Sequence, residues 1–331
     1  MTKLVIQIPC YNEEQSLPIT LASLPVEIPG IDQVEWLVID DGSTDATAAV
    51  ARAHGVRHVV VLARHQGLAS AFLAGLEASL RLKADIIVNT DADNQYSAED
   101  IPKLIAPIMA GVAELVVGAR SIASVEHFSW GKKVLQRLGS WVTRKVSNTE
   151  VEDAPSGFRA MSREAARRLH VFNRYTYTLE TIIQAGLKGM AVASVPVRTN
   201  RQLRPSRLVR GLGRYVGRQV LTMIRVFMTY RPFRFFAVPG AVMFGIGFLI
   251  GLRFLYFFLT TGGQGHIQSL ILAALLMGMG FFLAVIGLIG DLIAVNRALL
   301  EGIDWRVKRV EEAVLGSRDS NTGPAQHSRK P

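Results

Sequence analysis

The sequence predicts an α/β domain built on a mostly parallel sheet, followed by a membrane-attached C-terminal region. Three observations lead there. Apolar runs alternate with helix-patterned segments through the first 120 residues. Acids disappear between Glu180 and Asp291 while arginines accumulate. Two apolar stretches long enough to cross a bilayer then follow, roughly Phe235–Leu259 and Ile267–Val295.

The strand signals are "KLVIQIP", "VEWLVID", "HVVVLA", "ADIIVNT" and "AELVVGA". Between them lie "SLPITLASL", "TDATAAVARAH" and "GLASAFLAGLEASLRL", which read as helices. Near-continuous Val/Ile runs alternating with helices indicate a parallel sheet covered on both faces. Such sheets bind ligands beyond the carboxyl ends of their strands. "PCYNEE", "DDGSTD" and "DADNQ" each fall directly after a strand, so three polar motifs converge on one edge. Residues 121–200 are less regular; they hold "EDAPSGFRAMS", a helix at "YTLETIIQAGLKG" and a strand at "MAVASVPVR".

Composition narrows the possibilities. A hydrophobic share of 49% limits any membrane portion to a minority of the 331 residues. The single cysteine, Cys10, excludes an intramolecular disulfide, and no Cys/His cluster suggests zinc. The opening "MTKLVIQIPCYNEE" reads as a buried strand and loop, not a signal peptide, so this part is expected to stay in the cytoplasm. The net charge of +10 hides a segregation: residues 1–180 hold 18 Lys/Arg and 21 Asp/Glu, whereas 12 Lys/Arg and no acid lie between Glu180 and Asp291. Nucleic-acid binding does not call for that division, and none is expected; a membrane surface does.

From 206 to 229 the pattern is an amphipathic helix. Arg207, Arg210, Arg214, Arg218 and Arg225 recur at helical spacing, with Leu208, Leu212, Tyr215, Val220 and Phe227 on the other side. A solvated helix would mix acids into that face; a purely basic one suits a membrane interface. At about 1.5 Å per residue, each following apolar segment exceeds the roughly 30 Å of a hydrocarbon core. Basic residues flank both outer ends, and the connecting "TTGGQGHIQ" carries no full charge. The positive-inside rule then puts both termini in the cytoplasm of a multi-pass inner-membrane protein. The expected organisation is a domain at 1–205, an interfacial helix at 206–232, two spans within 233–296, and a helix with a disordered tail at 297–331. Two lone spans also leave room for self-association.

"NTDADNQY" poses the chemical question. Asp91 and Asp93 flank one alanine at a strand tip. Carboxylates two residues apart on extended backbone share a face, and because the chain turns at a strand end they can serve neighbouring ligands. A hard divalent cation takes a few protein oxygens and completes its shell with substrate phosphate and water. One acid on a metal and one on a sugar hydroxyl is a natural division. "DDGSTD" adds Asp40 or Asp41 as an acceptor for base or ribose, with Thr44 or Asp45 capping the next helix.

Taken in order, "IPCYNEE", "VIDDGSTD", "NTDADNQ", "VGAR", "SGFR" and "RPSR" resemble the family 2 glycosyltransferases. The chain is similar to their polyprenyl-phosphate branch over roughly residues 3–300. The resemblance implies a GT-A fold, Rossmann-like, with a nucleotide-sugar donor, a polyprenyl phosphate acceptor (undecaprenyl or dolichyl) and Mg²⁺ or Mn²⁺. It assigns Pro9, Tyr11, Glu13 and Asp40 to the nucleotide. Asp91 falls to donor ribose or sugar, and Asp93 and Gln95, with Asp91, to the metal. Arg120 falls to phosphate, Asp153 and Ser156 to the reacting sugar, and Arg201, Arg204, Ser206, Arg207 and Arg210 to phosphate oxygens, the last four on the lipid side. One departure is plain: family members often carry R-x-x-G-x-S-K, whereas "RQLRPSR" puts Arg204 and Arg207 at the glycine and lysine positions. An arginine fork is not a lysine point charge.

The implied reaction moves one sugar, expected to be uridine-linked, onto a lipid phosphate. The attacking oxygen is already anionic, so Asp153, the candidate base by position, is expected to orient the acceptor or stabilise positive charge on the sugar. Arg201 joins Asp91, Asp93 and Asp153 as catalytic by the same resemblance, and inversion at the anomeric carbon is implied by it alone. A processive polysaccharide synthase shares the acid pair but calls for Q-x-x-R-W, which "QRLGSW" does not match. A non-catalytic nucleotide-binding scaffold would not need the metal acids.

Overall fold

The computed structural model describes residues 1–120, 141, 144, 147, 149–169, 177–200, 221, 224, 225, 227–262 and 267–321. The chain divides into two compact units, Met1–Val216 together with Ile303–Pro331, and Gly217–Gly302.

The first unit is organised by a seven-stranded sheet in the order β3-β2-β1-β4-β6-β5-β7. Its strands are β1 (Lys3–Cys10), β2 (Gln33–Asp40), β3 (His58–Val61), β4 (Ile86–Asn89), β5 (Leu115–Arg120), β6 (Arg159–Ser162) and β7 (Val192–Val197). All run parallel except β6, which is antiparallel to β4 and β5. The helices are α1 (Leu17–Ser23), α2 (Thr47–Ala53), α3 (Leu68–Arg81), α4 (Ile101–Met109), α5 (Arg163–Arg168) and α6 (Thr178–Leu187). Successive β1 residues face opposite layers, as strand geometry requires. Leu4, Ile6 and Ile8 join Leu17, Leu21, Ile101 and Leu104 from α1 and α4. Val5 turns the other way, to a core containing Phe72 and Leu76 of α3 and Ile182 of α6. Both faces are therefore covered, as the apolar runs predict.

Register places the site. Cys10 pairs with Asp40, Asp40 with Val61, and Gln7 with Asn89, so β1, β2, β3 and β4 release their chains at one edge. The reversed strand arrives at that edge from outside: Asn89 pairs with Arg159, the first residue of β6. The "EDAPSG" segment thus enters beside the "DAD" loop. The sequence reading saw the segment but not the reversal, because four residues carry no direction signal.

The second unit contains α7 (Pro232–Thr261) and the first part of α8 (Ile267–Asn321), both long and apolar enough to cross a membrane by length and composition. Small residues let them approach closely: a Cβ on Gly240 would stand 2.8 Å from the Gly280 carbonyl, and one on Gly247 would stand 2.9 Å from that of Ala273. This is how helices pack where lipid removes the hydrophobic drive. The helix α8 runs on to Asn321 without a break at 296–297, since neither proline nor a turn sequence interrupts it there.

Candidate active site

The first two motif loops are built against each other. Asn12, in the left-handed region at φ +54, donates its N–H to Ser43 Oγ at 2.9 Å and accepts from Thr44 N at 2.8 Å. Glu13 N donates to Thr47 Oγ1 at 2.9 Å, and Glu14 Oε2 accepts from Ala46 N at 3.1 Å. Asp40 accepts from Ser43 N at 2.9 Å, turning the chain directly after β2. Pro9 is buried in β1, and Tyr11 is exposed beyond its end. Asp41 has a different duty from Asp40. Its oxygens accept from Gln66 N and Gly67 N, both at 2.8 Å, and lie 2.8 Å from His65 Nδ1. It therefore fixes the loop that opens α3, and His65 stacks on Tyr11 with centroids 3.9 Å apart. Gly42 is required between them: at φ +64, a Cβ would meet the Arg64 carbonyl carbon at 2.5 Å.

The "DAD" loop leaves β4 at Asn89. Asp93 Oδ1 accepts from Gln95 N at 3.1 Å, and Asn94 takes φ +55, so the loop is a side-chain-closed turn. Thr20 Oγ1 holds the Ala92 carbonyl at 2.9 Å. Asp91 differs from all these acids: among the described residues no donor bonds its carboxylate. The backbone of Gly157 lies against it instead, and a Cβ there would stand 2.8 and 2.9 Å from the two Asp91 oxygens. Burial first, then the neighbouring Asp93 charge, pushes the Asp91 carboxyl up to about 7, against the opposing pull of Arg120 and Arg159. An unsatisfied carboxylate beside a second acid fits a divalent cation, which would supply the missing positive charge. Among the described residues no three His, Cys, Asp or Glu side chains form a complete cage. Asp91, Asp93 and Gln95 would hold such a cation with ligand or water oxygens, in keeping with the few protein ligands a nucleotide-bound Mg²⁺ takes.

The third wall comes from β5 and the segment before β6. Arg120 grips Asp153 with Nε at 2.7 Å and Nη2 at 3.1 Å, and its backbone N–H adds a third bond at 3.2 Å. Asp153 is 1% exposed and Arg120 11%, so this is a buried fork. The Arg120 guanidinium also lies 5.8 Å from the Tyr96 ring centroid. The Tyr96 hydroxyl accepts from Gly157 N at 3.2 Å and from Ser156 Oγ at 3.4 Å. Behind this wall, Asn89 donates to the Gly157 carbonyl and the Tyr177 hydroxyl, both at 2.9 Å, and accepts from Gln7 Nε2 at 2.9 Å.

The chain after β7 closes the edge. Asn200 N donates to the Gln95 carbonyl at 2.8 Å, and Asn200 Nδ2 to that of Asn94 at 3.0 Å. Arg201, Arg204, Ser206, Arg207 and Arg210 lie outside the described residues. Pro9, Tyr11, Glu13, Asp40, Asp91, Asp93, Gln95, Arg120, Asp153 and Ser156 are all on the loops and strand ends of this edge. Sequence reasoning passed over His65, Tyr96, Asn89, Tyr177 and Arg159. Asn89, Tyr96 and Arg159 stood in view in "NTDADNQY" and "SGFR", but Asn89 and Tyr96 meet Gly157 across more than 60 positions, and His65 and Tyr177 lie outside both motifs.

The sequence matches glycosyl transferase family 2 over residues 5–169. An uncharacterized glycosyltransferase of Mycobacterium tuberculosis is 37% identical over 194 residues, 58% of this chain and 83% of that one. The chain belongs to glycosyl transferase family 2. It is a glycosyltransferase. Polyprenol monophosphomannose synthase of Mycolicibacterium smegmatis is 29% identical over 216 residues, 62% of this chain and 80% of the relative. Among solved structures, glucosyl-3-phosphoglycerate synthase of Mycobacterium tuberculosis, in complex with Mn²⁺, UDP and its product, matches with TM-score 0.51 at 23% identity, covering 67% of this chain and 80% of the other. That likeness shows the GT-A fold expected from the motifs.

Proposed function

We propose that this glycosyltransferase moves one sugar from a nucleotide-sugar donor, uridine-linked, to a polyprenyl phosphate at the cytoplasmic membrane face, with inversion. The observation that carries the reading is Asp91: a carboxylate with no donor among the described residues, beside Asp93, where three nucleotide-type loops meet. A relative named for polyprenol monophosphomannose supports the acceptor class, and a fold neighbour holding Mn²⁺ and UDP supports the donor and metal. The apolar helices α7 and α8, flanked by arginines, support attachment where lipid phosphates lie.

In this reading Tyr11, Glu13 and Asp40 bind the nucleoside end, with Pro9 shaping the turn. Asp153 engages Nε and Nη2 of Arg120 and thereby aims the remaining guanidinium donors at the donor diphosphate. Ser156 borders the sugar. Arg201, Arg204, Ser206, Arg207 and Arg210 gather the lipid phosphate. An acceptor phosphate oxygen attacks the anomeric carbon as the bond to the departing diphosphate breaks, so no general base is required. The chain brings two anions together and screens them. A divalent cation at Asp91, Asp93 and Gln95 would stabilise the leaving diphosphate.

The test is transfer by the purified protein, offered labelled UDP-glucose, UDP-GlcNAc, UDP-galactose and GDP-mannose with undecaprenyl phosphate. One donor is expected to place label in the organic phase, and EDTA to remove it. Label confined to an aqueous polymer or to free sugar in every case would overturn the acceptor assignment.

A further inference from the structure

Arg159 is fully buried, yet no carboxylate of the described residues hydrogen-bonds its guanidinium. Its hydrogen bonds go to neutral acceptors: the Ser156 carbonyl, Thr181 Oγ1, and the Thr178 carbonyl at 3.2 Å, while Nε has no partner. It sits at the N-terminal end of α6, where the helix dipole disfavours a cation. A merely structural side chain here would serve better uncharged. What the charge and its fork accomplish follows from position. Arg159 opens β6 opposite Asn89, two residues before Asp91. Its grip on the Ser156 carbonyl fixes the backbone next to Gly157, and Gly157 is what lies against the Asp91 oxygens. Asn89 and Tyr96 hold Gly157 by its carbonyl and its N–H.

The geometry points to Arg159 as a positioning residue that clamps the Ser156–Gly157 backbone over Asp91 and so sets the affinity of the acid pair for its divalent cation. This rests on the metal reading of Asp91 and Asp93. The cation would take its ligands from Asp91, Asp93 and Gln95; Arg159 stays behind the wall and touches neither metal nor donor.

The experiment is an electron-paramagnetic-resonance titration of free Mn²⁺ against the full-length protein in lipid nanodiscs, with UDP present, alongside thermal unfolding. Removing an outer-shell partner of a metal site lowers affinity about 10–100-fold, and that loss is expected for Arg159→Met. Arg159→Lys keeps the charge but cannot span three acceptors, so an intermediate loss is expected. Thr181→Val removes one acceptor only, and a loss of a few-fold is expected. These two carry the test if Arg159→Met does not fold. A purely structural role would lower the melting temperature and leave Mn²⁺ affinity of the folded protein unchanged. Affinities within twofold of wild type in the folded variants would overturn the proposal. If wild type itself takes up no Mn²⁺, the metal reading fails first, and the role of Arg159 falls with it.

Discussion

Replacing Asp153 with asparagine separates two accounts of that residue. The carboxylate is 1% exposed and takes three hydrogen bonds from Arg120, at 2.7, 3.1 and 3.2 Å. Asp153→Asn keeps the shape but leaves a guanidinium, 11% exposed, without its counter-charge. Breaking one partner of a buried pair costs about 3–5 kcal/mol, and the residual water access of Arg120 favours the lower end. For a unit of this size each kcal/mol shifts the melting temperature by about 2–4 °C, so a drop of about 6–12 °C is expected by differential scanning fluorimetry. Turnover of the folded variant should also fall, because Arg120 loses its aim. The double variant Arg120→Met/Asp153→Leu, apolar on both sides, should recover most of the stability and none of the transfer. If Asp153 acted as a base and nothing more, Asp153→Asn would be inactive with an unchanged melting temperature. A shift below 2 °C would refute the anchoring role.

Other outcomes follow from the same geometry. Asp93→Ala should abolish transfer while membrane insertion, followed by carbonate extraction, stays intact; wild-type rates would refute the metal assignment. Gly157→Ala should lower donor turnover at least tenfold, read from initial rates, because its Cβ would crowd both Asp91 oxygens. Gly42→Ala should destabilise the first unit by about 1–3 kcal/mol in denaturant unfolding, since it combines overpacking with a left-handed backbone. Asp100 supplies a pH signature. Burial alone would raise its carboxyl, but hydrogen bonds from Arg198 and Lys103 bring it down to about 2. A depressed folded pKa means the stabilisation is complete above about pH 4 and fades as pH falls through 2. Because Arg198 and Lys103 are more than half exposed, screening holds the effect to about 1 kcal/mol. Asp100→Asn should therefore lose stability at pH 6 but little at pH 2 relative to wild type.

The parts of this molecule that were legible in the sequence are those with local signals. Val/Ile runs announced β1, β2, β3 and β4, and an acid pair directly after "ADIIVNT" announced the loop that leaves β4 at the site edge. Apolar length announced α7 and α8, whereas the basic helix expected at 206–229 lies mostly outside the described residues. The reversal of β6 was hidden because its direction is set by pairing with β4 and β5, not by its own four residues. Asn89, Tyr177 and Arg159 were hidden for a related reason: a buried polar residue has no periodicity, and Asn89 meets Tyr177 across 88 positions. Asp40 and Asp41 looked equivalent as neighbours in "DDGSTD". Only the fold divides them, one turning its own loop and one fixing the start of α3.

The most direct test of the central claim is the mass of the lipid product. Full-length protein in nanodiscs would be mixed with undecaprenyl phosphate, Mn²⁺ and the donor it accepts, with undecaprenol in parallel, and the lipids analysed over time. The account predicts one sugar per undecaprenyl phosphate, never more, none on undecaprenol, and none once EDTA is added. Lipids carrying growing sugar chains, or equal transfer with the metal removed, would contradict it.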